Sequence, residues 1–271
     1  MEEQKWVSNL VLVRHGESKR NIAKVKADAE NSETYDDGTR DMDVELTERG
    51  RRQATETGQR LPLHLGFAFD RAFVSPYCRT VETAELVLAG QRGPVDTVLE
   101  ERVREKEFGV LDGLTKLGIQ RRYPDEAERK KRVGKYYYRP PGGESYPDVN
   151  QRVHGFLGML IRECRAQNVL AVCHSVIVLS FRRLLERLSE QELLEIDRDP
   201  QQEPQNCGVT WYVFDPTAGD HGKLVLKSYN ITLYDPALTS HEPSRPSEAE
   251  RQSEPGVDLG KRVALDEDLP R

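Results

Sequence analysis

Three short apolar runs that all stop the same way constrain this chain more than any other feature. "NLVLV" (9–13) runs into Arg14, His15 and Gly16; "FDRAFVS" (69–75) leads through "PYC" to Arg79; "NVLAVC" (168–173) ends in His174. Runs of this kind read as strands buried on both faces, as in a parallel sheet. Helical patterns lie between them. "LTERGRRQATETGQRL" (46–61) opens with Thr47 in a capping position and is expected to stop before Pro62. "TVETAELVLA" (80–89) and "VIVLSFRRLLERL" (176–188) each follow a strand, and 147–165 sets Val149, Val153, Phe156, Leu157, Leu160, Ile161 and Cys164 on one helical face. Two late strands, 208–215 and 223–230, suit a meander or a sheet edge. The alternation predicts an α/β fold, a three-layer α/β/α sandwich with a mostly parallel central sheet.

A chain of 271 residues has room for one such domain plus appendages. From 237 onward Pro, Ser and charged residues replace large apolar ones, so 1–236 is read as the domain and 237–271 as a disordered tail. The polar stretch 26–43, without periodicity, is read as a long loop.

Net charge and cysteine usage narrow the function classes. A net charge of −6 argues against nucleic acid or an anionic membrane as main partner, while leaving room for a locally basic pocket. Cys78, Cys164, Cys173 and Cys207 show no paired spacing, and the N-terminus lacks the pattern of a signal peptide, so a reducing, cytoplasmic setting is expected. The longest apolar stretch, 169–181, is too short to span a bilayer and contains His174.

In open α/β sheets ligands bind beyond the carboxyl ends of the strands, where helix N-termini offer free N–H groups. Two arginines and two histidines gathered there suit a phosphate. Arginine presents a planar fork for two oxygens and keeps its charge. One neutral imidazole can attack phosphorus, and a second, protonated one can stabilise the phosphoryl oxygens in flight. Gly16 would let the backbone approach the anion. A proton donor for the leaving oxygen must come from elsewhere; Glu105, Glu107 and Asp112 in "REKEFGVLDG" are the candidates.

"RHGESKRN" (14–21), "LTERGRRQA" (46–54), "SPYCRTVETAE" (75–85), "EKEFGVLDG" (105–113), "PGGESYPDVNQR" (141–152) and "VCHS" (172–175), in this order, resemble the successive motifs of the histidine phosphatase superfamily, with its phosphoglycerate mutase-like fold. The resemblance implies that His15 is transiently phosphorylated and that Arg14, Arg79 and His174 line the phosphate pocket. It adds Asn21 and Ser175 to the substrate-binding set and selects Glu105 as the proton donor. It implies no metal and no other cofactor, and a small phosphorylated metabolite as substrate; a homodimer is left open.

Within that resemblance two branches compete. Gly113–Lys116 and the pair Arg121-Arg122 resemble the mutase branch, whose basic residues hold substrate carboxylate and phosphate. The short span from Glu105 to His174 and "YYYRPPGGES" (136–145) resemble the phosphatases, which is the reading taken. A catalytically idle phospholigand binder is the third reading, and such relatives usually lack a pocket residue, whereas none is missing here. Tyr35 and Arg40 are candidates for substrate selection from the 26–43 stretch. Arg152 and Glu144 are expected to pair structurally, Glu107 and Asp112 to be solvated or structural, and His64 and His154 to lie on the surface. Ser18 lacks the surrounding of a serine nucleophile. Cys78 and Cys173 are expected near the pocket, chiefly as packing groups.

Overall fold

The computed structural model describes residues 4–91 and 93–240. In chain order the elements are β1 (Asn9–Arg14), α1 (Lys19–Ala29), α2 (Glu48–Leu65), β2 (Arg71–Val74), α3 (Cys78–Leu88), β3 (Asp96–Leu99), α4 (Lys116–Arg122), α5 (Pro124–Val133), α6 (Tyr146–Glu163), β4 (Asn168–Cys173), α7 (Ser175–Leu185), α8 (Glu190–Arg198), β5 (Val209–Asp215) and β6 (Lys223–Ile231). The strands form one sheet in the order β3-β2-β4-β1-β5-β6. β3, β2, β4 and β1 are mutually parallel, while β5 and β6 add an antiparallel edge, the place expected for the late strands.

Side-chain alternation splits the core in two. Leu10, Leu12, Phe73, Ala171 and Cys173 face a cluster built on Val149, Val153 and Phe156 of α6 and Ile177 and Phe181 of α7. Val11, Val13, Ala72, Val74, Leu170 and Val172 face Ala54 and Leu61 of α2 and Ala84 and Val87 of α3. The central strands are apolar throughout because both of their faces are covered, which gives the expected three layers. Register then places the site: Arg14 pairs with Cys173, and Val13 and Val74 both pair with Val172, so three strands end at one level.

Several local expectations are corrected. Thr47 caps α2 as expected, but the helix runs through Pro62 to Leu65 and ends on Gly66 in the left-handed region (φ 77°). The proline removes one ladder donor, and burial of Leu61 and Leu65 on either side of it holds the helix together. The polar stretch closes in a 3-10 turn at Asp41–Asp43 and is a loop only at 30–40, because a capping box between Ser18 and Asn21 starts α1 and carries it across 26–29. Only Ala27 of that helix is buried, so no apolar stripe announced it. The same holds for α5, which buries no residue, and for the edge strand β3, where Leu99 is 61% exposed.

The boundary at 236 falls too early. Pro236–Leu238 forms a 3-10 turn, Leu238 is buried, and Gln53 Nε2 donates to Leu238 O (2.7 Å) and to Ser240 Oγ (3.0 Å). The disorder expected for 241–271 lies outside the described residues. Among the described residues no helix is long and apolar enough to cross a membrane.

Candidate active site

Beyond the common end of β1, β4 and β2 stand His15, His174 and Ser75, each one residue past its strand. Backbone bonds continue the sheet to them: His15 N–H donates to Cys173 O (3.0 Å) and Ser75 N–H to Val172 O (3.0 Å). The two imidazoles meet edge to face, ring centroids 5.2 Å apart.

His15 is 4% exposed, and its Nδ1 lies 2.7 Å from Gly16 O. A carbonyl can only accept, so Nδ1 carries the proton and Nε2 keeps its lone pair. Burial, followed by the positive charges of Arg79 and Arg14, pushes this ring well below its ordinary pKa of 6.5. The result is a neutral imidazole with one nitrogen available as nucleophile. Its backbone carbonyl accepts from Asn206 Nδ2 (3.1 Å), which pins the residue from the loop before β5.

His174 Nε2 pairs with Ser75 Oγ at 2.8 Å. Its Nδ1, fully buried, has no hydrogen-bond partner among the described residues and lies 3.7 Å from Glu105 Oε2. Tyr77 packs on this ring at 5.1 Å, and the Arg79 guanidinium sits over Tyr77 at 4.9 Å. Burial and then Arg79, His15 and Arg14 push His174 well below 6.5, so the protonated second histidine expected from sequence is neutral in the free site. A bound dianion would move that balance back toward the imidazolium.

The candidate acid occupies irregular backbone between β3 and α4. Glu105 has a side chain 14% exposed, and its Oε1 accepts from Lys106 N–H (2.8 Å). Burial raises its pKa above the ordinary 4.5; Arg79 opposes the shift without cancelling it. Arg152 of α6 holds the segment from behind, donating to Glu105 O (3.1 Å) and Arg102 O (2.8 Å). Its other contacts are bidentate to Glu144, Nε–Oε1 2.9 Å and Nη2–Oε2 3.1 Å, the structural pair expected. Glu144 Oε2 in turn accepts from Glu107 N–H (3.0 Å), so one ion pair clamps both sides of the acid.

Arg14 is buried at 5% exposure and donates from Nη1 to Pro204 O (2.5 Å). Arg79, buried at 4%, donates from Nη1 to Asp41 O (2.6 Å) and Oδ1 (3.0 Å), and from Nη2 to Asp41 Oδ2 (3.1 Å). The sequence thus brings together Arg14, His15, Arg79, Glu105 and His174. Ser175 opens α7 beside His174. Asn21 stands in the cap of α1, where its Oδ1 accepts from Ser18 N–H (3.0 Å) and Oγ (2.9 Å).

Gly16 also has another reason than the one expected. A Cβ there would lie 2.6 Å from Gly50 O, so the glycine admits the start of α2 close to the end of β1. Cys173 is buried in the sheet and Cys78 is exposed, and His64 and His154 are exposed as expected. Glu107 is exposed and accepts from Gly109 N–H, while Asp112 pairs with Arg20 (2.8 Å). Ser75, Tyr77, Asn206 and Asp41 were not foreseen; of these only Ser75 and Tyr77 carried a signal, their place in the strand-end motif. Among the described residues no group of three His, Cys, Asp or Glu side chains is placed to hold a metal ion.

Such a site can hold a tetrahedral dianion between two arginines, attack it with His15 Nε2, and protonate a leaving oxygen from Glu105. The model of the histidine phosphatase superfamily (branch 1) matches residues 10–231. A 2,3-bisphosphoglycerate-dependent phosphoglycerate mutase of Rhizobium etli is 32% identical over 197 residues, 70% of this chain and 86% of that protein. Among solved structures, Bacillus stearothermophilus YhfR aligns over 83% of this chain and 98% of its own with TM-score 0.64 and 24% identity. A mycobacterial glucosyl-3-phosphoglycerate phosphatase, solved with inorganic phosphate, aligns over 84% and 99% with TM-score 0.60 and 21% identity. At these identities the two structures are alike in fold.

Proposed function

Because the chain belongs to the histidine phosphatase superfamily, branch 1, we propose that it is a metal-independent phosphomonoesterase that passes the phosphoryl group of a small phosphorylated metabolite first to His15 and then to water. The observation that carries this reading is the Nδ1 bond of His15 to Gly16 O, which fixes the nucleophilic tautomer beside two arginines and a buried acid.

In the first half-reaction His15 Nε2 bonds to phosphorus as the ester P–O bond breaks. The leaving oxygen takes the Glu105 proton, leaving a carboxylate. Arg14 and Arg79 neutralise the oxygens in flight, and His174 Nδ1 is available to donate to one of them. In the second half-reaction the Glu105 carboxylate takes a proton from water, whose oxygen bonds to phosphorus as the P–Nε2 bond breaks. Inorganic phosphate leaves, and both residues regain their starting protonation.

A phosphoglycerate mutase is the second reading, favoured by the name of the 32% identical relative. Against it stands the arginine pair that resembles the mutases' substrate holders. Arg121 Nη1 and Arg122 Nε both bond to Glu33, at 3.1 and 2.9 Å, and so pin the 30–40 stretch to α4. The four unpaired cysteines agree with the reducing, cytoplasmic setting included in this reading.

The test is phosphate release from an aryl phosphate without added metal, run beside phosphoglycerate interconversion with and without 2,3-bisphosphoglycerate. Metal-independent hydrolysis with no interconversion is the expected result. Interconversion faster than hydrolysis would replace it with the mutase reading, and neither activity would leave a phospholigand binder.

A further inference from the structure

We propose that Asp41 is an internal competitor for the phosphate site: its carboxylate occupies the fork of Arg79 until a phosphoryl group displaces it onto Arg20. The inference rests on the phosphate-binding reading above and adds a residue that sets how tightly the site holds its ligand.

Both terminal nitrogens of Arg79 bond to the two Asp41 oxygens, at 3.0 and 3.1 Å. Two parallel N–H···O bonds are the geometry with which a guanidinium holds a phosphate. A substrate phosphate and the Asp41 carboxylate therefore require the same donors. Burial alone would make Asp41 a weaker acid, but Arg79 and Arg20 reverse the shift and hold it below its ordinary value, so the occupant is an anion.

Displacement does not strand that anion. Arg20 Nη1 already lies 2.7 Å from Asp41 Oδ1, and Arg20 is itself braced by Asp112 at 2.8 Å and by the Tyr35 ring at 5.5 Å. Asp41 can release Arg79 and remain ion-paired, which avoids the large cost of a lone charge.

The backbone carrying Asp41 is anchored on either side: Thr34 Oγ1 and Tyr35 N–H donate to Gly113 O (2.8 and 2.9 Å), and Lys19 N–H donates to Glu45 O (3.0 Å). Between these anchors Asp36, Gly38, Thr39 and the Arg40–Asp43 pair bond within residues 34–43, and Asp41 opens a 3-10 turn tied outward to Arg20 and to Arg79, whose Nη1 also holds the Asp41 backbone carbonyl (2.6 Å). Behind it lies a cavity of about 240 Å³ lined by Lys19, Arg20, Tyr35, Asp37, Thr39 and Asp43 rather than packed core.

A site whose competent form is only partly populated binds in proportion to that fraction. Asp41 thus weakens substrate and product alike and favours release of inorganic phosphate.

The experiment is calorimetric titration of the full-length protein with inorganic phosphate, alongside KM and kcat for an aryl phosphate. Asp41→Asn, which keeps shape and removes charge, should tighten phosphate binding and lower KM together, by about ten- to a hundredfold, with kcat no higher. Arg20→Gln removes the alternative seat and should weaken phosphate binding. Combining the two should restore the tight binding of Asp41→Asn.

If Asp41 merely orients Arg79, both single variants weaken binding, and that result overturns the inference. Unchanged binding in Asp41→Asn, while Arg79→Ala abolishes it, overturns the inference and leaves the phosphate site standing. No phosphate binding by wild type or by Asp41→Asn overturns both.

Discussion

The two halves of the site are built from different materials. Arg14, His15, Ser75 and His174 sit on or one residue past buried parallel strands, and backbone bonds at 3.0 Å continue the sheet to His15 and Ser75. Glu105 sits on irregular backbone and Asp41 on a single 3-10 turn, both held by ion pairs, Arg152 with Glu144 in one case and Asp41 itself with Arg79 and Arg20 in the other. The position of His15, the proposed nucleophile, is therefore a property of the sheet, whereas the proposed acid and the occupant of Arg79 depend on a few side chains. Position errors are costly in catalysis, so rigid support suits the atom that must meet phosphorus in line. The cover can then vary to suit the leaving group.

The sheet-borne half should give the largest loss. His15→Ala removes the proposed nucleophile, and turnover of aryl and alkyl phosphates alike should fall by at least about 10⁴-fold. Phosphate release measured beside wild type checks this, and residual activity near wild type would remove His15 from the reaction.

Glu105→Gln tests the loop-borne half and should discriminate between substrates. Alkyl phosphates, whose leaving oxygen needs a proton, should lose about 10²–10⁴-fold, and aryl phosphates far less. The pH profile of kcat/KM carries the sign. His15 must be neutral, and its depressed pKa keeps it so well below pH 6.5. Glu105 must be protonated, and its raised pKa extends that condition above pH 4.5 before activity falls. The falling limb for alkyl phosphates should vanish in Glu105→Gln; equal losses on both substrate classes would place the acid elsewhere.

The same division decides what was legible in the sequence. Strands β1, β2 and β4 announce themselves as apolar runs, and their terminal Arg14, His15 and His174 follow from one rule about strand ends. Those residues could be named because their placement is local to the motif. Arg20 and Asp41 lie 21 residues apart, on a polar helix and an aperiodic stretch, and meet only through charge. Such pairs leave no period in a sequence. Asn21 shows the converse: the motif around it is legible, yet the side chain caps a helix that the polar composition of 19–29 concealed.

Arg152 joins the halves, since it belongs to a core helix and holds the loop-borne acid by its backbone. Arg152→Met should leave Glu144 with Arg104 (3.3 Å) as its remaining ion partner, at a cost of about 1–2 kcal/mol in a denaturant titration. If the residue acts by positioning Glu105, kcat for alkyl phosphates should drop by about ten- to a hundredfold while aryl phosphates are spared. A loss shared equally by both substrates would make it a stabilising residue alone.

The smallest effect is expected where the cover is most exposed. Arg121 and Arg122 are 63% and 50% exposed and share Glu33, whose carboxylate they hold below its ordinary pKa. If their task is to pin the 30–40 stretch, changing both to alanine should leave kcat/KM for a small aryl phosphate within about threefold, because exposed ion pairs are weak and water competes for each group. Their loss would loosen the stretch next to Asp41, so any change should appear in KM before kcat. If instead they leave Glu33 to grip a phosphoglycerate carboxylate, the same double variant should spare aryl phosphates and remove a phosphoglycerate interconversion that wild type performs. The two assays on one variant therefore separate a clamp from a substrate holder, and with it the hydrolase from the mutase.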